Sequence, residues 1–286
     1  MEKRGRILIA AAAVLAIGII AWAFFGGRSV PPEPMYKGKP LSYWLQAYDP
    51  VSGGTNRPSR AYADAAIKHA GTNAIPLLLQ MFRAHESPLK TKLLRWASRY
   101  AYLREHFRSA NELNMEAYSG FAVLGGDAAG AVPELIKLVD DTHDDGRATL
   151  PILILLRLGP AAHDAVPSLL RAATSTNQST RGMALAALGQ IHANPQAVVP
   201  ILRSALHDPS ANIPAYAAGG LGSFRGQAAP AVPDLVAILR EPDGGPNSVP
   251  LEPRMSTMSV RTVVEDALKR IDPDTYARVV TNASPR

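Results

Sequence analysis

The 286-residue chain contains no cysteine. Disulfide staples, a thiol nucleophile, thiolate metal sites and a lipidated N-terminal cysteine are therefore excluded, and the fold has to be held by packing alone. Charge is also scarce, at 19% of residues, while hydrophobic residues reach 47%. That balance can bury a core and is unlike that of a disordered chain. Signatures of chemistry are missing as well: there is no H-E-x-x-H pair, no G-x-S-x-G elbow and no phosphate-cradling glycine loop. The histidines His69, His85, His106, His163, His192 and His207 are scattered without ligand spacing. His207-Asp208-Pro209 resembles a dyad but lacks a nucleophile, and an aspartate before proline at such a boundary reads as a helix cap. The acidic run from Asp140 to Gly146 fails as an EF-hand, because a loop opened at Asp141 has Ile152 where a bidentate Glu must stand. Its carboxylates are expected to cap the next helix. No metal, no cofactor and no catalytic residue is expected.

Glycine and proline, by contrast, are plentiful, and they recur in register. "LGGDAAGAVPELI" from Leu124, "LGPAAHDAVPSLL" from Leu158, "LGQIHANPQAVVPIL" from Leu188 and "LGSFRGQAAPAVPDLV" from Leu221 align on Pro133, Pro167, Pro200 and Pro233, at intervals of 34, 33 and 33 residues. A fixed period of this length marks a repeat architecture. Each unit reads as a helix closed at Leu-Gly, with Gly125, Gly159, Gly189 or Gly222 near the first position past its end, and a second helix opened at Ala-Val-Pro. Glycine suits the left-handed backbone of a helix stop, and proline is tolerated in a first turn, where its missing N–H has no internal acceptor. Apolar residues at helical spacing, such as Met183, Ala184, Ala187, Leu188 and Ile191, give each helix one buried face. Such pairs bury that face only by stacking. An earlier copy, "AIKHAGTNAIPLLLQMF" from Ala66, carries Gly71 and Pro76 in register, and the longer gap from Pro76 to Pro133 implies an insertion.

The segments "STRGMALAALGQI", "HDPSANIPAYAAGGLG" and "SVRTVVEDALKRI" resemble the first helices of HEAT repeats, of the short type also seen in phycobilisome-lyase-like sequences. Arg181 and Arg261 match the family's first-helix arginine, and Pro151 and Pro214 fill that slot in other repeats. "YKGKPLSYWLQAY", from Tyr36, resembles the opening segment of membrane-anchored bacterial HEAT-repeat proteins. The resemblance implies an all-α, right-handed solenoid of stacked antiparallel helix pairs. It is specific for fold and nearly silent on function.

Lys3, Arg4 and Arg6 precede 21 uncharged residues, 7–27. That length spans about 30 Å of hydrocarbon as a helix, and basic residues before it favour an N-terminus kept in the cytoplasm. The expected organisation is a basic stretch at 1–6, a transmembrane anchor at 7–27, a proline-rich linker at 28–40, and a HEAT-like solenoid at 41–286. The solenoid would carry an inserted basic helix at about 88–108 and an irregular loop at 241–258. Cleavage of a signal peptide near Ala23 is the alternative, since Ala21-Trp22-Ala23 satisfies the small-x-small rule. Both place the body outside the cytoplasm, tethered in one case and secreted or periplasmic in the other.

In the insertion, Leu93, Trp96, Tyr100, Leu103 and Phe107 form an apolar stripe, and Arg83, Lys90, Lys92, Arg95, Arg99, Arg104 and Arg108 face only Glu86 and Glu105. Lys92, Arg95 and Arg99 share one face, which could receive an anionic partner or lipid headgroups, or simply be solvated. Nucleic acid is disfavoured, because the aromatic residues are used by the stripe and an exported body would not meet it. The sequence therefore points to a membrane-tethered, non-catalytic scaffold for a protein or peptide partner. A lyase-like or other enzyme and a structural spacer in an envelope assembly are the alternatives; the oligomeric state is not encoded in any feature of the sequence.

Overall fold

A computed structural model of the chain describes residues 32–49, 57–84, 108–142, 146–210, 212–240 and 259–283. Met35–Tyr36 (β1) and Lys39–Pro40 (β2) form a small hairpin that leads into Leu41–Leu45 (α1). Six helix pairs follow among the described residues. They are Arg60–Ala70 (α2) with Ile75–Phe82 (α3), Ala110–Leu124 (α4) with Val132–Thr142 (α5), and Thr149–Leu158 (α6) with Val166–Ala172 (α7). Gln178–Ile191 (α8) pairs with Pro195–Ala205 (α9), Ile213–Phe224 (α10) with Val232–Arg240 (α11), and Val260–Ile271 (α12) with Pro273–Ala283 (α13). First helices pack on first helices in the order α2, α4, α6, α8, α10, α12, and the second helices line the other side. One continuous apolar core runs from Leu41 to Ile271, as a solenoid of stacked pairs requires.

The described part of the stretch expected to be a linker is therefore not all spacer: its last six residues make the hairpin, and Trp44 Nε1 donates to the Tyr36 carbonyl at 3.0 Å. The uncharged run 7–27, the loop 241–258 and most of the basic helix, with Lys92, Arg95 and Arg99, lie outside the described residues. Among the described residues, Thr149–Ala172 is long and apolar enough to cross a membrane. It is interrupted at Gly159-Pro160, and Ile152, Leu155 and Leu169 are fully buried in the core, so packing accounts for its hydropathy.

The punctuation is finer than a helix stop and a helix start. Three pairs are joined by seven-residue 3₁₀ segments, Gly125–Ala131, Gly159–Ala165 and Arg225–Ala231. In a 3₁₀ turn side chains three apart eclipse one another. Alanine therefore recurs at 128 and 131, 162 and 165, and 228 and 231, all with no exposure. Pro133, Pro167 and Pro233 each stand second in their helices, where no backbone bond is lost. Pro200 does not: α9 opens five residues earlier at Pro195, after left-handed His192 and Asn194, and Pro200 lies inside the helix.

The glycines divide likewise. Gly125 and Gly159 end their helices at φ 55° and 54°. Gly189 and Gly222 lie inside α8 and α10 instead of beyond their ends, and they sit against the backbones of Gly220 and Ala267 in the neighbouring first helices. His192 and Arg225 close those two helices.

Arg225, at φ 49° and ψ −136°, has almost the same backbone conformation as Gly71, Gly125 and Gly159. A side chain costs about 1–3 kcal/mol in such a region, and glycine's extra unfolded-state entropy returns about 0.5–1 kcal/mol of that. Arg225→Gly is therefore expected to stabilise the chain by about 1 kcal/mol. Gly159→Ala should destabilise it by a similar amount, since the nearest atom to the added Cβ is a comfortable 3.7 Å away. Denaturant midpoints of the two variants, moving in opposite directions from the wild type, check both.

Candidate partner-binding groove

Gln196, Val199, Pro200, Arg203 and Ser204 stand at i, i+3, i+4, i+7 and i+8 on α9, and His207 continues the row just past its end. A helix puts such positions on one face. Gln227, Pro230 and Asp234 form a second row across the Arg225–Ala231 segment and the first turn of α11. The two rows, with Pro195, line an open groove of about 830 Å³ between neighbouring second helices, within the size range of ligand-binding clefts.

The walls are mixed. Pro195, Val199, Pro200 and Pro230 supply apolar surface, and Gln196 and Gln227 supply amides. Pro200 has no N–H, so the helical bond that residue 200 would give to the Gln196 carbonyl is absent. At one end Arg203 Nε donates to Asp234 Oδ2, while His207 Nε2 lies 3.4 Å from Asp234 Oδ1. Burial alone would raise the Asp234 carboxyl, but hydrogen bonds from Arg203 and His207, with their charge, outweigh it and hold the group below the usual carboxylate range. The groove thus keeps a fixed anion flanked by two donors.

The Asp234 contact belongs to a wider pattern. The residue after the helix-opening proline receives an arginine from the preceding second helix twice, Arg83 to Glu134 at 2.5 Å and Arg203 to Asp234. Arg171 reaches the other way, to Asp140 at 2.6 Å. These pairs lie at the surface, contribute little stability each, and link neighbouring repeats. Arg83 and Arg108, both counted in the basic run, are engaged in ion pairs with Glu134 and Glu116.

Asp208 is not a helix cap. It accepts from Arg181 Nε at 2.9 Å and from Ser210 N at 2.8 Å, tying α8 to the loop before α10. The carboxyl would rise on burial, but the Arg181 and Ser210 hydrogen bonds hold it low. Asp140 is likewise an ion-pair partner of Arg171, and α6 starts from Ala148, which has no side-chain cap; residues 143–145 lie outside the described residues. Among the described residues no three His, Asp or Glu side chains come together as metal ligands.

A second polar centre lies at the other end of the solenoid. Glu116, on the buried face of α4, has no exposed side-chain surface; Oε2 accepts from Arg108 at 2.5 Å, and Oε1 has no hydrogen-bond partner. Burial pushes its pKa up to about 7 against the pull of Arg108, with Asp49 and Glu112 adding to the rise. Asp49 is itself tied to Arg57 at 3.0 Å.

The groove residues went unmarked in the sequence because prolines mixed with glutamines, an arginine and a histidine look like a solvated face. The signal was the row 196, 200, 204 on a helix whose inner positions Val198 and Leu202 are apolar.

The family model for HEAT repeats matches residues 132–219 and 166–246, a span that includes the whole groove. Over these residues the chain is similar to HEAT repeats. Comparison with curated proteins returns no match.

Proposed function

We propose that the protein is a membrane-tethered, extracytoplasmic HEAT-repeat scaffold that holds a protein or peptide partner in the groove between α9 and α11 and performs no catalytic step. HEAT repeats generally serve as surfaces for protein interaction. The observation that carries the reading is the groove itself: apolar proline walls, two amides, and an Arg203–Asp234–His207 cluster at one end. That composition offers area for side chains and donors and acceptors for a backbone. Support for the tether is the uncharged run 7–27 behind Lys3, Arg4 and Arg6.

A photo-reactive residue in place of Gln227 or Ser204 tests the reading in the native membrane. Both positions should yield the same protein adduct, Arg203→Glu should abolish it, and a probe at exposed Lys68 should not give it. Adducts at Lys68 with none from the groove positions would sink the proposal.

A further inference from the structure

The N-terminal cap carries the two exposed large hydrophobic residues among the described residues, Met35 at 56% and Tyr62 at 50% exposure. They do not stand alone. Trp44 sits among Tyr36, Tyr43 and Tyr62, with ring centroids 5.7, 5.2 and 6.0 Å away. Lysines lie over this cluster: Lys37 Nζ is 4.2 Å from the Tyr62 ring centroid and Lys39 Nζ is 5.3 Å from that of Tyr43. Aromatic bodies with polar tips, beside lysines and a protruding methionine, match the chemistry of a membrane–water interface.

The turn is informative as well. Met35 pairs with Pro40 and Tyr36 with Lys39, which leaves Lys37-Gly38 as a two-residue loop with φ 48° and 72°. Both central residues of such a turn need positive φ, and asparagine followed by glycine is the comfortable choice. A lysine stands in the first position instead, so the turn gives up local stability to display a cation.

The chain also brings this cap to a particular place. Seven residues lie between Gly27, the end of the uncharged run, and Met35. Even fully extended these eight residue steps reach about 29 Å, so a cap tethered there samples the bilayer surface at high effective concentration. From these observations we infer that the β1–β2 hairpin and Tyr62 dock on an anionic lipid surface, with Met35 and Tyr62 entering the interface and Lys37 and Lys39 meeting lipid phosphates. This rests on residues 7–27 being an anchor. Docking would orient the solenoid against the membrane and leave the groove, several repeats away, facing its partner.

The absence of cysteine permits a direct test in the full-length chain. Met35→Cys, and Ala229→Cys as a distant exposed control, are labelled with an environment-sensitive dye and reconstituted in nanodiscs of phosphatidylcholine alone or with about a third phosphatidylglycerol. The label at position 35 should move to a less polar environment in the anionic discs only, and the label at 229 should not respond. Lys37→Asn improves the turn while removing the charge, so a purely structural lysine would leave docking intact or strengthen it. If the lysine meets lipid, that variant should lower the docked-to-free ratio about fivefold, and adding Lys39→Gln should bring the loss to about thirtyfold. Disc-bound protein with the same label environment in both lipids would overturn the docking and leave the anchor standing. Protein recovered outside the discs would overturn the anchor, and the docking with it.

Discussion

Raising the pH from about 5 to about 8 is expected to cost the protein up to about 3 kcal/mol of stability through one side chain, Glu116, and Glu116→Gln should abolish that loss. The carboxyl is fully buried, and its pKa is pushed up from 4.5 to about 7 by burial, against the lowering influence of Arg108. The folded pKa exceeds the unfolded one, so between the two values the native state holds a proton that the unfolded chain releases. The contribution is complete below about 4.5, fades as pH climbs, and is gone above about 7. The charged groups around it set the size: Arg108 stabilises the anion, Asp49 and Glu112 oppose it, and Arg57 partly neutralises Asp49. Arg108→Ala removes the cation paired with Glu116. At about pH 8 it should destabilise the chain by about 3–5 kcal/mol, the cost of an unpaired buried charge, and far less at about pH 5, where the carboxyl is protonated. Guanidinium unfolding of the full chain at both pH values, for the wild type and both variants, separates the cases. Equal pH slopes in wild type and Glu116→Gln would assign the dependence to other groups.

Glu116 shows what the sequence left visible. On α4 the apolar positions Leu113, Ala117, Gly120, Phe121 and Leu124 define a stripe, and Glu116 falls on it. That charge on an apolar stripe went unmarked, and so did its partner. Arg108 precedes the helix, beyond a Ser109 and Glu112 capping box, and was counted only as part of the basic run of the insertion. The repeat period and, except at Pro200, the proline-opened second helices were readable, because each follows from local backbone chemistry. The roles of Leu-Gly were only half readable. At Gly125 and Gly159 the glycine ends the helix, while α8 and α10 run on to His192 and Arg225. Both outcomes suit glycine, one through positive φ and the other through its missing Cβ, and only the distance to the neighbouring helix decides between them.

Gly189→Ala should therefore destabilise the protein, although helix propensity alone predicts the opposite. Alanine inside a helix gains about 0.5–1 kcal/mol over glycine. At position 189, however, the new Cβ would lie 2.5 Å from Gly220 Cα. That obstacle is backbone, so no rotamer change relieves it; α8 and α10 must separate, and fully buried Leu185, Leu188 and Leu221 lose packing with them. Overpacking of this kind costs about 1–3 kcal/mol, which reverses the sign. Gly219→Ala is the matched control on the facing helix, where the nearest atom to an added Cβ is Val263 Cγ1 at 3.8 Å; it should stabilise by about 0.5–1 kcal/mol. Opposite shifts in denaturation midpoint for the two alanines establish close helix approach as the function of Gly189, whereas stabilisation by both would refute it. The consequence reaches the groove. α8 and α10 are the first helices of the two pairs whose second elements form its walls, so spreading them at Gly189 moves the α9 row away from Gln227, Pro230 and Asp234. Partner capture from the groove should then weaken in Gly189→Ala and persist in Gly219→Ala.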